Sequence, residues 1–176
     1  MKNTSLKSII VLISICLFIA VSMAVINMIT APKIEDQQKA AEQEALSAVL
    51  PENAGFTEVE LEGLPESVTG IFKDNDGNGV VAMLSIKGYD SSKPMSAAVG
   101  FNLDGTISKV VIISASGETS GIGSKVTTAE FTSQFDGKDA SLEGVDAISG
   151  ATISSSAVIN AVRDSFVAYG LIEGAK

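Results

Sequence analysis

Gly70-Ile-Phe-Lys-Asp-Asn-Asp-Gly-Asn-Gly-Val-Val-Ala-Met-Leu-Ser-Ile86 places two apolar, β-type runs on either side of a segment of turn residues, Asp74 to Gly79. Asp, Asn and Gly tolerate the left-handed backbone of tight turns, so the stretch reads as a β-hairpin. Its opening Asp-Asn-Asp-Gly resembles the start of a calcium-binding loop. Such a loop places a bidentate Glu at its twelfth position, where this chain has Ser85, so a plain hairpin turn is the reading. Ser96-Ala-Ala-Val-Gly-Phe101 and Ile107-Ser-Lys-Val-Val-Ile-Ile113, joined through Asp104-Gly105, repeat the pattern as a second hairpin. Consecutive hairpins imply a mainly antiparallel sheet. Beyond them, residues 128–135 predict a short helix or turn. Ala157, Val158, Ala161, Val162 and Phe166 recur at helical spacing, which predicts a last helix over Ser154–Tyr169 with Gly170 ending it. No solenoid-length repeat is present. The fold class expected is α+β.

Upstream of the hairpins the chain changes character. Ile9 to Ile29 is an uncharged apolar run of 21 residues. As a helix rising about 1.5 Å per residue it spans a hydrocarbon core of roughly 30 Å. A cleaved signal peptide competes with this reading, but its apolar region is usually about 7–15 residues long, and Asn27-Met28-Ile29-Thr30 is a poor cleavage context. An uncleaved anchor is therefore expected. Lys2 and Lys7 precede the run, whereas Lys33 after it is followed at once by Glu35 and Asp36. That bias places the N-terminus in the cytoplasm and the domain outside. Ile34 to Leu50 is rich in good helix formers until Pro51 stops it. Ala41, Ala45, Ala48 and Val49 give it a weak apolar face, which suits a stalk lying against the domain; a solvated spacer helix is the alternative. The expected organisation is a cytoplasmic N-terminus over 1–8, a transmembrane helix over 9–30, a stalk helix over 31–50 and an extracytoplasmic domain over 51–176.

Charge and composition exclude several kinds of chemistry. In residues 1–50, Lys2, Lys7, Lys33 and Lys39 balance Glu35, Asp36, Glu42 and Glu44, so the whole net charge of −9 falls on residues 51–176. So acidic a domain repels a phosphate backbone, which sets nucleic acid aside. The single cysteine, Cys16, lies inside the apolar run, so there is neither a disulfide framework nor a thiolate metal site. The chain contains no histidine, which removes His-dependent triads, His-ligated zinc and axial-His haem together. Redox chemistry here requires an organic cofactor.

Two glycine-rich segments are not explained by folding alone. Ser149-Gly-Ala-Thr-Ile-Ser-Ser155 is a turn of small residues feeding a helix N-terminus, with Ser154 or Ser155 as candidate N-cap. Unpaired N–H groups and the positive end of the helix dipole would suit a phosphate there, although on these residues alone a simple helix cap is the favoured reading. Gly117-Glu-Thr-Ser-Gly-Ile-Gly123 is a loop whose glycines permit close approach of backbone to a ligand. It is neither a dinucleotide fingerprint nor a Walker loop.

Taken together, Gly117-Glu-Thr-Ser-Gly-Ile-Gly123 followed by Asp146-Ala-Ile-Ser-Gly-Ala-Thr152 resembles the FMN-binding domain shared by the G component of the Rnf ion-translocating electron transport complex and the C component of the sodium-pumping NADH:quinone oxidoreductase. The single anchor, the stalk ending at Pro51 and the order of segments are similar too. The resemblance implies a flavin transferase that recognises Asp146, Ser149, Gly150 and Ala151 and joins the FMN phosphate to the hydroxyl of Thr152. It also implies that Gly121, Gly123 and Lys125 line the flavin, with Glu118 and Thr119 as polar contacts. The family's loop commonly reads Glu-Thr-Pro-Gly-Leu-Gly, often after a histidine; here Ser120, Ile122 and Ser116 stand at those places. The implied function is electron relay by covalent FMN in an Rnf-type membrane complex between ferredoxin and NAD, coupled to Na+ or H+ transport, with the other membrane subunits, the flavin transferase and the lipid bilayer as partners. The protein would be a carrier rather than a complete enzyme. The length of 176 residues fits the Rnf component better than its quinone-reductase counterpart. A structural protein of pilin type shares the layout of apolar helix and β-rich domain, but no Gly precedes the apolar run and no acidic residue lies within it.

Overall fold

The computed structural model describes residues 2–51 and 53–173. Helix α1 (Lys2–Val49) is followed by five strands, β1 (Phe56–Glu58), β2 (Val68–Asp74), β3 (Gly79–Ile86), β4 (Met95–Asn102) and β5 (Ile107–Ser114). Short 3-10 turns at Gly123–Thr127 and Ser133–Phe135 flank α2 (Ala129–Thr132), and α3 (Thr152–Glu173) closes the chain. The chain divides into two units, Met1–Ala40 and Ala41–Lys176.

The first unit is helical and apolar. Its large side chains from Ile9 to Ile29 are exposed, and the helix is long and apolar enough to cross a membrane. The hydroxyls of Ser14, Ser22 and Thr30 donate to the carbonyls of Ile10, Phe18 and Ile26 at 2.8–2.9 Å. Each polar group is thereby satisfied within the helix, as an apolar surrounding demands. Where the sequence suggests a separate stalk helix after Pro32, α1 instead runs through the proline without a break. Pro32 removes one helical N–H, a loss that a long helix of strong helix formers tolerates.

The second unit is built on an antiparallel sheet of order β1-β2-β3-β4-β5, every strand paired with its neighbour in sequence. Both expected hairpins are present, with Lys73 opposite Val80 and Phe101 opposite Ile107. The three-residue β1 has no signal in the local sequence and pairs only with β2. Alternation along the strands assigns two faces. Val80, Ala82, Leu84 and Ile86 of β3, with Met95, Ala97, Val99 and Phe101 of β4, pack with Val158, Ala161, Val162 and Ala168 of α3. Phe101 sits between the rings of Phe166 and Tyr169, each centroid at 5.0 Å. Val81, Met83 and Ala98 face the other way and pack with Ala45, Leu46, Val49 and Leu50 from the end of α1. Burial on both faces is why β3 reads as an unbroken apolar run. The residues that become buried are Ala45, Leu46 and Val49 of α1 and Leu50 just after it, while Ala41 and Ala48 stay partly exposed, so the apolar face anticipated for the stalk is shifted.

The end of α1 is fixed by shape and by one hydrogen bond. A Cβ at Gly100 would lie 2.8 Å from the carbonyl oxygen of Val49 and 3.0 Å from its Cβ, so only glycine admits the helix there. The Ser108 hydroxyl donates to that carbonyl at 2.9 Å, occupying an acceptor left open at the helix C-terminus.

Helix α3 also departs from expectation at both ends. It begins at Thr152 rather than Ser154 and continues through Gly170 to Glu173. Gly170 costs about 1 kcal/mol relative to alanine in a helix interior, but Tyr169 and Ile172 on either side pack against the core and hold the last turn.

The β2–β3 turn depends on Asp74. Its Oδ1 accepts from the N–H of Ala54 at 3.1 Å and its Oδ2 from the N–H of Asn78 at 3.0 Å, which closes the turn and ties down the strand leading to β1. Burial pushes the Asp74 carboxyl up, but the N–H groups of Asn78, Ala54 and Asp76 together outweigh it and hold the group below the usual carboxylate range.

Two outcomes follow from these contacts. Gly100→Val should destabilise the full-length protein in detergent by about 1–3 kcal/mol, as overpacking does, read as a lower urea midpoint at unchanged slope. Because the Asp74 pKa is depressed in the folded state, its contribution is fully present above the unfolded carboxylate value of about 3.9 and is lost as pH falls below it. The urea midpoint of the native chain should therefore drop more steeply than that of Asp74→Asn between about pH 5 and pH 2, the two converging in acid.

Candidate functional site

The register puts three ends of strands together. Ile86 pairs with Met95 and Ser96 with Ser114, so the connections after β3 and after β5 leave the sheet at the same end. The segment after β5 passes against the β3–β4 connection so closely that a Cβ at Gly117 would meet the Lys93 carbonyl oxygen. The first turn of α3 joins them there. The convergence forms a cleft of about 430 Å3 lined by Tyr89, Glu118, Thr119, Ile122, Gly123 and residues Gly150 to Ser154.

Glu118 ties the three segments. It is buried, 8% exposed. Its Oε1 accepts from the N–H of Tyr89 at 2.9 Å, and its Oε2 accepts a short hydrogen bond from the Ser154 hydroxyl. Space for the carboxylate exists because residues 88 and 123 are glycines, as a Cβ at either would strike it. Among the described residues lining the cleft, Glu118 is the one acidic side chain, and no Lys or Arg lies beside it.

The turn before α3 is held from inside. Gly150 has φ +81°, a left-handed conformation that favours glycine. Ser155 is fully buried; its Oγ accepts from the N–H of Ile148 at 3.0 Å and donates to the Ala151 carbonyl at 2.9 Å. Ser155 thus shapes the turn from within the helix, where the sequence suggests an N-cap. The first bond closing onto the helix is donated by Ser155 N–H to the Ala151 carbonyl at 3.0 Å. The N–H groups of Thr152, Ile153 and Ser154 precede it and face the N-terminal side.

Of the residues singled out from the sequence, Glu118, Thr119, Gly123, Gly150, Ala151 and Thr152 come together in this cleft. Lys125, Asp146 and Ser149 line a second cleft of about 440 Å3 with Phe131 and Gln134, and the Asp146 N–H donates to Gln134 Oε1 at 2.9 Å. Gly121 lines neither; with φ +75° and its N–H bonded to Ser124 Oγ at 2.9 Å, it makes the loop's turn. Sequence reasoning missed Tyr89, Ile122 and Ile153 as lining residues. Ile122 lies within the marked glycine loop, and an apolar residue kept in an otherwise small, polar loop is the signal that could have found it.

Ser155 is fully buried, and removing its hydroxyl leaves the half-buried N–H of Ile148 and the Ala151 carbonyl without that partner. Ser155→Ala should therefore destabilise the chain by about 1–3 kcal/mol, measured as a lower urea midpoint.

A family model of the FMN-binding domain matches residues 88–166, and a model of the RnfG N-terminal region matches residues 1–49. The G component of the ion-translocating oxidoreductase complex of Methanosarcina acetivorans is 34% identical over 183 residues, covering 90% of this chain and 91% of the relative. The G component of the Na(+)-translocating ferredoxin:NAD(+) oxidoreductase complex of Acetobacterium woodii is 29% identical over 178 residues, covering 85% and 84%. Among solved structures, the crystal structure of Shewanella oneidensis NqrC aligns with a TM-score of 0.47 at 26% identity; the match covers 62% of this chain and 65% of that one, just under two thirds. With two family models spanning the anchor and the cleft, and a relative matched over nine tenths of both lengths, the chain belongs to the RnfG family, the G components of ion-translocating oxidoreductase complexes.

Proposed function

We propose that this chain carries FMN as a phosphoester on Thr152 and relays electrons in a membrane complex that exchanges them between ferredoxin and NAD and couples the exchange to Na+ or H+ transport. The observation that carries the reading is the position of Thr152, exposed, first in α3 and in the wall of the cleft. The residues present fit the group. A volume of about 430 Å3 lies within the range of about 300–1,000 Å3 usual for ligand sites. Tyr89, Ile122 and Ile153 leave large apolar surfaces exposed around it, 68%, 50% and 61% respectively, of the kind a planar ring system covers. A phosphate esterified to Thr152 would meet the free N–H groups and the positive dipole end of α3.

Bound there, FMN supplies one- and two-electron transfer chemistry that no side chain of this protein provides. Thr152 supplies the attachment oxygen, and Gly150 bends the backbone so that this hydroxyl stands clear of the turn. Asp146, Ser149 and Gly150 are exposed, so a flavin transferase can read the segment from Asp146 to Thr152 on the folded domain. Lys125 contributes to the second cleft beside that segment.

The apolar part of α1, over 9–30, holds the chain in the bilayer, where the other members of the complex meet it. Lys2 and Lys7 keep residues 1–8 in the cytoplasm, with 31–50 as the stalk and 51–176 as the flavin domain outside.

Intact mass of the full chain, purified from membranes after coexpression with a flavin transferase, should show an adduct of FMN-phosphoester mass that Thr152→Ala lacks completely. An unmodified native chain, or an adduct retained in the variant, would sink the proposal.

A further inference from the structure

Glu118 poses a problem that flavin contact alone does not solve. Its carboxylate is buried in the cleft wall, no Lys or Arg among the described residues lines the same cleft, and its hydrogen bonds go to protein, to Tyr89 N–H on one side and the Ser154 hydroxyl on the other. Burying a charge is costly unless it is paired or well bonded. An amide of the same shape would keep one acceptor oxygen and avoid that expense, yet a carboxylate stands here, and two glycines, Gly88 and Gly123, leave the room it occupies.

We propose that Glu118 is the positioning residue of the flavin site: its carboxylate fixes Tyr89 and the start of α3 at a set separation, and its uncompensated charge lowers the reduction potential of the flavin held between them. The proposal rests on the reading that FMN occupies this cleft. Glu118 opposes each added electron that arrives without a proton, because the negative charge then placed on the ring lies near its own in a medium less polarisable than water. Two hydrogen bonds from Tyr89 and Ser154 stabilise the carboxylate but do not cancel its charge. Glu118 acts through these neighbours and through its field, and is not itself an electron carrier.

Three variants separate tie from charge. Glu118→Gln keeps size and an acceptor oxygen while removing the charge. In flavin-loaded protein it should raise the reduced-to-oxidised ratio at fixed ambient potential about tenfold, roughly 30 mV for a two-electron couple. Ser154→Ala keeps the charge and removes one of its donors, so the midpoint potential should fall. Glu118→Ala, studied without flavin, should speed amide exchange at Tyr89 about tenfold while the β3 amides stay protected. An unchanged or lower potential in Glu118→Gln, a raised one in Ser154→Ala, or a Tyr89 amide indifferent to Glu118→Ala overturns the proposal. If Glu118→Gln does not fold, Ser154→Ala still reads the effect of the charge on the potential, while Glu118→Ala reads the tie to Tyr89. Intact mass shows which preparations carry the phosphoester. Should Thr152 prove not to be the acceptor, the same potentials are read on protein saturated with free FMN, so failure of the attachment reading and failure of the Glu118 proposal remain distinct.

Discussion

Strands β3 and β4 are apolar on both faces, and a sheet of that kind has to be covered twice. Each fully buried Val, Leu, Ile or Phe contributes about 1.5–3 kcal/mol relative to exposure, so neither face can be left to solvent. Helix α3 covers one face around Phe101; the last turns of α1 cover the other around Val81, Met83 and Ala98. The two covers come from opposite ends of the sequence. The second unit is therefore complete only when a meander of local hairpins has been enclosed by segments more than a hundred residues apart.

The cleft is a by-product of that arrangement. Placing α3 across the sheet brings its N-terminus to the end where β3 and β5 finish, and the loops leaving those strands have nowhere else to go. What makes the junction specific is polar. Glu118 gathers a backbone N–H from one loop and a hydroxyl from the helix, and Ser155 gathers a backbone N–H and a carbonyl from the turn. Low local dielectric makes such bonds strong when satisfied and their loss expensive. Among the described residues, no buried side-chain polar atom lacks a partner.

Much of the architecture was legible because it is local. Asp74 to Gly79 and Asp104-Gly105 carry turn chemistry, and the residues beside them carry β-type side chains. What could not be read depends on distance along the chain. Strand β1 exists only because β2 offers it an edge. Val49 and Leu50 fit against the sheet because Gly100 and Gly79 lie opposite, which no helical pattern in residues 34–50 reveals. At the site, the resemblance named Thr152 and its neighbours, and the cleft gathers most of them. The partners of Glu118, however, lie 29 and 36 positions away. Nothing in Gly-Tyr89 or in Ile-Ser154 announces a bond to that carboxylate, and without it Glu118 reads as one more polar loop residue.

The order of segments along the chain has a consequence for when this protein becomes competent. Tyr89, Glu118 and Ser154 are made in that sequence, and among the described residues the helix that completes the wall follows every other element. The hairpins of the sheet precede the helix in the chain, so the sheet can pair before the cleft has its third wall. The wall that holds Thr152 is thus assembled from three separate stretches of chain, and it closes only when the helix that begins at that residue has docked on the sheet.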